Sequence, residues 1–381
     1  MKILFISNIA GKKVGTFSMA SIKAAKKLGW EYHLAANFRN STPEQMKCDE
    51  DEYGIYLHQI DFERHPLNLK NRKAYWQVVE LIRKEQIDII HCNTPVGGLI
   101  GRLAGRKCGV KKVIYQAHGF HFYKGAPIFH WLVYYPAERW LAHYTDVLIT
   151  INKEDFARAR NFKLRNDGKV YCVPGVGIDT SGYSPRDKNR NQKRKELGLK
   201  EDEIMLISMG DLIERKNYKT SIEAVAKLGN SKIHYFICGT GQQEGMLKAL
   251  AIQLGAEKRI HFLGFRMDIR ELLQAADIFL FSTAQEGLSR SLMEAMASGL
   301  PCVASRIRGN VDLMTDGENG FLCHPFSANE FAAVIVKLSG DPDLRRKMGA
   351  ANMKRIIDFD MGAACNAVST VYEEFGGGKT L

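Results

Sequence analysis

No run in the chain approaches the roughly 18–20 consecutive apolar residues needed to cross a bilayer, so no membrane-spanning helix is expected. Its eight cysteines stand singly, with no C-x-x-C pair and no zinc spacing. That pattern predicts free thiols in a reducing cytoplasm rather than a disulfide framework or a structural metal. There is no short-period repeat and no long low-complexity segment. Gly11 and Gly15 follow the first apolar segment but lack the G-x-G-x-x-G spacing of a dinucleotide site. No nucleic-acid-binding motif accompanies the basic residues, so nucleic acid is not an expected partner. The opening residues, Met1–Ser7, are too short for a secretory leader and read as a buried first strand.

What is present is the composition of a globular protein: 381 residues, 45% hydrophobic and 25% charged. That length suits two domains of roughly 150–200 residues each. The formal net charge is +12, concentrated at Arg102, Arg106, Lys107, Lys111 and Lys112 and at Lys12, Lys13, Lys23, Lys26 and Lys27. Such clusters suit anionic lipid headgroups or phosphorylated substrates, or simply a solvated basic surface.

Strand-like apolar runs alternate with amphipathic stretches along both halves, which predicts α/β architecture with parallel sheets. In the first half the runs are 2–7, 32–36, 87–91, 112–117, 147–151 and 170–173. In the second they are 204–209, 233–238, 260–262, 278–281 and 301–304. Between the halves, residues 174–194 carry Gly175, Gly177, Gly182 and Pro185 in a polar, basic context, as a linker does. The expected layout is a first domain over 1–180, a linker over 181–200 and a second domain over 201–357. Two doubly wound, Rossmann-like domains would face each other across a cleft, with ligand at the carboxyl ends of the strands.

Several loops at that edge carry chemistry. Gly210 to Asn217 includes Arg215 and Lys216, which suit a diphosphate or a basic solvated turn. Gly239-Thr240-Gly241 offers backbone amides to a phosphate, although a lone G-x-G is weak. At Leu263-Gly264-Phe265 backbone atoms are placed to hold a base edge. Ile278–Phe281 reads as a strand giving way to a helix, with Glu286 in the turn and Glu294 eight positions further on. The amides of Gly287, Leu288 and Ser289 open that helix, and a helix start favours phosphate. The two carboxylates can grip sugar hydroxyls on either side of it, or serve merely as a capping Glu and a solvated helical Glu. In the first half, Tyr115-Gln116-Ala117-His118-Gly119 ends a strand with a histidine at the presumed cleft, a position for either a structural or a catalytic ring. The D-x-D-like strings Asp49-Glu50-Asp51, Asp341-Pro342-Asp343 and Asp358-Phe359-Asp360 follow no nucleotide-binding strand and read as surface or helix-end carboxylates, so no metal is expected.

Taken together these motifs resemble the retaining glycosyltransferases of the GT-B fold, family four. The E-x7-E signature of that family corresponds to Glu286 and Glu294, and its G-x-L-x-x-x-K-N pattern to Gly210, Leu212, Lys216 and Asn217. His118 to Pro127, Tyr134-Tyr135-Pro136, Ile307 to Asn310 and Asp316 to Phe321 are similar to a bacterial branch that builds capsule, exopolysaccharide and lipid-linked oligosaccharide. The resemblance implies a hexosyl- or N-acetylhexosaminyltransferase that uses a nucleotide-sugar, UDP by default, with no cofactor. Lys216, aided by Arg215, would hold the donor diphosphate; Glu294 would bind ribose and Glu286 the transferred sugar. Gly15, His118, Gly119 and His121 would lie on the acceptor side, in the N-terminal domain, with a final helix over 360–375 packing back onto it. The acceptor would be a saccharide or a polyprenyl-diphosphate-linked sugar. Aromatic residues over 120–144, with the basic cluster at 102–112, either pack the first domain's core or rest on an anionic membrane surface. Asp211 stands where many relatives have Arg, which shifts the cationic work to Lys216 and Arg215. The alternatives are a soluble enzyme acting on a sugar phosphate, which would need a basic pocket in the first domain, and a non-catalytic sugar-nucleotide-binding subunit.

Overall fold

A computed structural model describes residues 1–11, 13–66, 68–183 and 190–376. Lys12 of the second basic cluster, and residues 184–189 with Pro185 of the expected linker, lie outside the described residues. The chain forms two units, Met1–Gly177 with Met361–Leu381, and Ile178–Asp360.

The first unit opens with β1 (Lys2–Ile9), α1 (Thr16–Lys27), β2 (Glu31–Asn37), α2 (Pro43–Tyr53) and β3 (Tyr56–Gln59). There follow α3 (Lys70–Glu85), β4 (Ile89–Asn93), α4 (Pro95–Cys108) and β5 (Lys112–Gln116). It continues through α5 (Ile128–Ala142), β6 (Val147–Thr150), α6 (Lys153–Ala159) and β7 (Lys169–Cys172). The second unit holds α7 (Arg190–Glu196), β8 (Ile204–Met209), α8 (Tyr218–Ala226), β9 (Ile233–Cys238) and α9 (Glu244–Gln253). Next come β10 (Ile260–Gly264), α10 (Ile269–Ala275), β11 (Ile278–Phe281), α11 (Arg290–Ala297) and β12 (Cys302–Ser305). It ends with α12 (Asn310–Leu313), β13 (Gly320–Cys323), α13 (Ala328–Gly340) and α14 (Pro342–Ile356), before α15 (Met361–Gly376) returns to the first unit.

Both sheets are parallel. Their strand orders are β3-β2-β1-β4-β5-β6-β7 and β10-β9-β8-β11-β12-β13. The direction of winding therefore reverses between β1 and β4 in one unit and between β8 and β11 in the other, the positions where such sheets open a crevice at their carboxyl edge. The central strands are covered on both faces, which is why they read as continuous apolar runs. Ile3, Leu4, Phe5 and Ile6 in β1, and Met205, Leu206 and Ile207 in β8, are almost fully buried.

Helix α4 is glycine-rich for a packing reason. A Cβ on Gly98 would collide with the Tyr115 ring, and one on Gly101 would approach Cys92 Cβ to 2.7 Å. The glycines let the helix axis lie close on β4 and β5, and that contact offsets their poor helix propensity. Helix α15 packs on α1. Its Tyr372 is fully buried, stacks on Trp30 and meets His91 Nδ1 of β4 at 2.7 Å through its hydroxyl.

The structure divides the two features joined in the membrane expectation. Phe120 and Phe122 are buried, and Trp131, Tyr134 and Tyr135 pack against the core, whereas the other side of α5 faces solvent. The basic cluster does not form one patch. Arg102 is wholly buried, its Nη1 2.8 Å from Glu138 and its guanidinium over the Tyr115 ring. Lys111 pairs with Asp88 and Lys112 lies over Phe375, which leaves Arg106 and Lys107 at the end of α4. Within the segment expected as a linker, residues 190–196 are helical. Arg190 and Arg194 both pair with Asp277 at 2.6 and 3.1 Å, so α7 is fastened to the second sheet.

Candidate active site

In the second unit a cavity of about 500 Å³ opens at the carboxyl edge of β8, β9 and β11. Gly210, Arg215, Lys216, Gly239, Phe265, Glu286, Leu288, Ser289 and Glu294, all expected at the site, line it. The backbone explains why the strand ends carry glycine. Gly210 has φ +144° and Gly239 φ +146°, and a Cβ on Gly239 would collide with the Gly210 carbonyl oxygen. The two loops pass closer than any side chain allows.

Lys216 Nζ lies 2.7 Å from Glu286 Oε1, and Arg215 Nη1 lies 3.2 Å from the same oxygen. Thr283 donates to it as well, at 3.1 Å. Lys216 and Glu286 are each only 11% exposed, so this pair is poorly screened. The ammonium has three donors and the Glu286 contact uses one, so it can bind a second anion without releasing its partner. Asn217, in the left-handed conformation at φ +50°, donates from its amide to the carbonyls of Ser282 and Pro325 at 3.0 and 2.7 Å. That bridge ties the Lys216 loop to the end of β11 and accounts for the Lys-Asn order in the sequence.

Glu294, just over one turn into α11, accepts from Arg290 Nε at 2.8 Å and is 13% exposed. Tyr183 hydrogen-bonds to Glu294, and burial together with that carboxylate holds the phenol above its ordinary pKa. Ser289 caps α11, its hydroxyl accepting from the amide of Leu292. Arg308 Nε donates to the Glu286 carbonyl at 3.1 Å, and Gly309, at φ +82°, lies against the Gly287 carbonyl where a Cβ would collide. The Glu286–Ser289 turn is therefore braced from behind.

Two expected residues do not line the cavity. A Cβ on Gly241 would collide with the Leu212 carbonyl, so its smallness serves loop packing. Gly287 likewise meets Gly309 rather than forming the cavity wall. Phe265 lines the rim and is 77% exposed.

In the first unit a cavity of about 360 Å³ lies at the carboxyl end of β1, walled by Phe5, Leu34 and Phe38, with Gly15, Lys13 and Arg64 also lining it. The ring of His118 packs 4.1 Å from that of Phe17, another wall residue. Its Nε2 lies 2.9 Å from Asn93 Oδ1. The Asn93 amide nitrogen faces the Ile6 and His91 carbonyls, so its oxygen accepts and His118 Nε2 carries the proton. Burial and nearby His91 hold His118 below the usual imidazole pKa, in the neutral form with its lone pair on Nδ1. Thr94, next to Asn93 and also in the wall, has φ +64°. For a β-branched residue that is a strained conformation of the kind found beside functional groups. Gly119 has φ +129°, which lets the chain turn immediately after His118. His121 lines neither cavity: its ring stacks on Tyr134 of α5, 4.6 Å away.

Tyr183, Thr283, Arg290, Arg308 and Asn93 extend the expected set. Asn93-Thr94, a polar pair ending an apolar strand, was a readable signal; Tyr183 had none, because it reaches Glu294 from more than a hundred residues away. The D-x-D-like carboxylates are otherwise engaged. Asp49 accepts from the Val14 amide, Asp341 caps α14 and Asp358 pairs with Arg355.

A family model described as glycosyl transferases group 1 matches residues 189–355, and one described as glycosyl transferase 4-like matches 2–152. EpsD of Bacillus subtilis, a glycosyltransferase by name, is 36% identical over 379 residues, covering 98% of this chain and 97% of its own. UDP-Gal:alpha-D-GlcNAc-diphosphoundecaprenol alpha-1,3-galactosyltransferase of Escherichia coli is 28% identical over 309 residues, 80% of each chain. Among solved structures, Anabaena Alr3699/HepE in complex with UDP and glucose superposes with a TM-score of 0.79 at 20% identity, covering 98% of this chain and 100% of that one.

Proposed function

Because the chain belongs to the glycosyl transferase family of the group 1 and 4-like models, as an enzyme of the GT-B fold, we propose that it transfers a sugar from a UDP-sugar to a polyprenyl-diphosphate-linked or saccharide acceptor. In this reading the reaction retains the anomeric configuration, needs no metal ion, and serves surface polysaccharide synthesis at the cytoplasmic face of the membrane.

One observation carries the donor half: Lys216, Arg215, Glu286 and Glu294 line a single cavity where β8 and β11 diverge. Cleavage of the bond between the anomeric carbon and the phosphate oxygen leaves a diphosphate with added negative charge. Lys216, Arg215 and the amides at the start of α11 stabilise that charge as it develops, which lowers the barrier. These cations would do the work a metal does elsewhere. Glu294, oriented by Arg290 and Tyr183, would accept from the ribose hydroxyls, and Glu286 from those of the transferred sugar. Glu286 is occupied by Lys216, Arg215 and Thr283, so it suits gripping hydroxyls better than covalent attack. The acceptor oxygen would then bond to the anomeric carbon on the face the diphosphate leaves. The departing phosphate oxygen would take the acceptor's proton. His118 would offer its Nδ1 lone pair to a hydroxyl on this side of the reaction.

For the acceptor, the first-unit cavity combines apolar walls with Lys13 and Arg64, which suits a phosphorylated molecule with an apolar portion. The E. coli relative is named for a diphosphoundecaprenol-linked sugar. The same two cations favour a second reading, a free sugar phosphate as acceptor. A thermal-shift screen of the full chain against UDP-, GDP- and ADP-sugars tests the donor, since a ligand bound only by the native state raises the melting temperature. Labelled-sugar transfer to a polyprenyl-diphosphate sugar, compared with a sugar phosphate, separates the acceptors, and the anomeric proton coupling of the product tests retention. Absence of any shift with all three donors would end the donor-site assignment.

A further inference from the structure

Helix α5 turns an uncharged apolar stripe to solvent. Ile128, Phe129, Leu132, Val133 and Trp140 are 73, 62, 69, 43 and 49% exposed, and Pro136 and Ala137 continue the stripe between them. These positions recur at helical spacing, so they form one face along the four turns of the helix. A surface helix normally places its polar residues there. On α5 the inward side is already committed: Trp131 and Tyr135 pack on the core, and Glu138 binds buried Arg102.

The charges that border the stripe are mainly cationic; the one carboxylate at its start, Glu154, accepts from the Lys124 amide and is paired with Arg158 at 2.9 Å. Lys124 is exposed just before its first turn, and Arg139 and His143 are exposed at its last. Arg106 lies over the Tyr144 ring at 4.5 Å, and Tyr144 in turn meets the Trp140 ring edge-on at 5.3 Å. The helix has a single carboxylate, Glu138, and it is turned away. A second copy of this face would bring cation against cation, so the surface is a poor match for itself. It fits a layer that is apolar within and anionic at its rim.

From this we infer that α5 is the face by which the protein docks on an anionic bilayer, the stripe entering the headgroup–acyl boundary and Lys124, Arg139 and Arg106 meeting lipid phosphates. The inference extends the acceptor reading, since a lipid-linked acceptor must be met at a membrane, but the binding itself needs neither donor nor acceptor.

The test uses the full chain with vesicles of phosphatidylcholine alone or with phosphatidylglycerol added, both free of polyprenyl lipid. Wild type should co-sediment with the anionic vesicles, less so as salt rises, and its Trp fluorescence should shift to the blue; Trp140→Phe should remove most of that shift. The double variant Phe129→Glu/Leu132→Glu should bind roughly tenfold more weakly or worse, while its UDP-sugar thermal shift stays that of wild type. Equal binding by the double variant, or no wild-type binding to anionic vesicles, overturns the inference. A wild-type dimer by light scattering that the double variant dissolves would assign the face to a second copy instead. Failure of the donor screen would leave the vesicle result standing, so the two readings fail separately.

Discussion

At the scale of single residues, the polar groups of the second-unit cavity form two small circuits around the two glutamates. Lys216 shares Glu286 with Arg215 and Thr283, so Lys216→Ala leaves the carboxylate partnered and should fold normally. Its turnover, followed by release of nucleoside diphosphate, should fall by roughly 10²–10³-fold, the usual loss when one preorganised charge donor is removed. Tyr183 hydrogen-bonds to Glu294 and does not itself line the cavity. Tyr183→Phe should therefore raise the donor KM by about three- to tenfold with kcat nearly unchanged, a split that a purely structural defect would not produce. His91 predicts the acid behaviour. Burial pushes its pKa down to about 3, and its Nε2 lies 3.1 Å from Gln116 Oε1. The folded form binds the extra proton less readily than the unfolded chain, whose imidazole titrates near 6.5. The contribution is thus complete above about pH 6.5 and declines as pH falls toward 3, at about 1.4 kcal/mol per pH unit for the one group. Urea unfolding across pH 4.5–6 should show stability falling as pH falls, buried His118 and His58 adding to the slope, and His91→Asn should reduce that slope by about one proton.

At the scale of elements, α5 is held to α4 by a buried charge. Arg102→Ala would leave Glu138 without its cation against the Tyr115 ring, and breaking such a pair costs about 3–5 kcal/mol. The variant's urea midpoint should drop accordingly, with the m-value unchanged if α5 stays docked. Elements differed in how plainly the sequence announced them, and burial explains the difference. β1, β4, β8 and β11 are covered on both faces and appear as apolar runs. β3 and β13 are short edge strands; Tyr56 and Gln59 of β3 are exposed, so no run forms. α2 is acidic and has almost no apolar face. Its readable mark was local, a capping box in which Thr42 and Gln45 satisfy each other's backbone amides, with Pro43 at the first turn. α14 buries scattered residues, among them Arg345 and Asn352, which no hydrophobic period reveals. The candidate site was legible where chemistry repeats along the chain, at Gly210–Asn217 and Glu286–Glu294. It was illegible where a residue acts across distance, as Tyr183 does, or where glycine serves backbone packing, as Gly241 does.

At the scale of the molecule, the first unit is discontinuous, closed by α15 from the far end of the chain. Truncation after Asp360 would remove Tyr372, uncover the α1 face on which α15 packs, and leave His91 Nδ1 without its hydroxyl. The shortened chain should aggregate or bind a hydrophobic dye, and its first thermal transition should fall, while a UDP-sugar still raises any separate transition of the second unit. The discontinuity also has a consequence in time. Ile178–Asp360 must all be synthesised before the last helix exists. At about 5–20 residues per second, that is an interval of roughly ten to forty seconds. Through that interval the nascent first unit has an open flank, and β4, which carries Asn93 toward His118, lacks its brace. Residues 361–376 thus act as a latch in biosynthesis: the first unit becomes complete only after the second has been made.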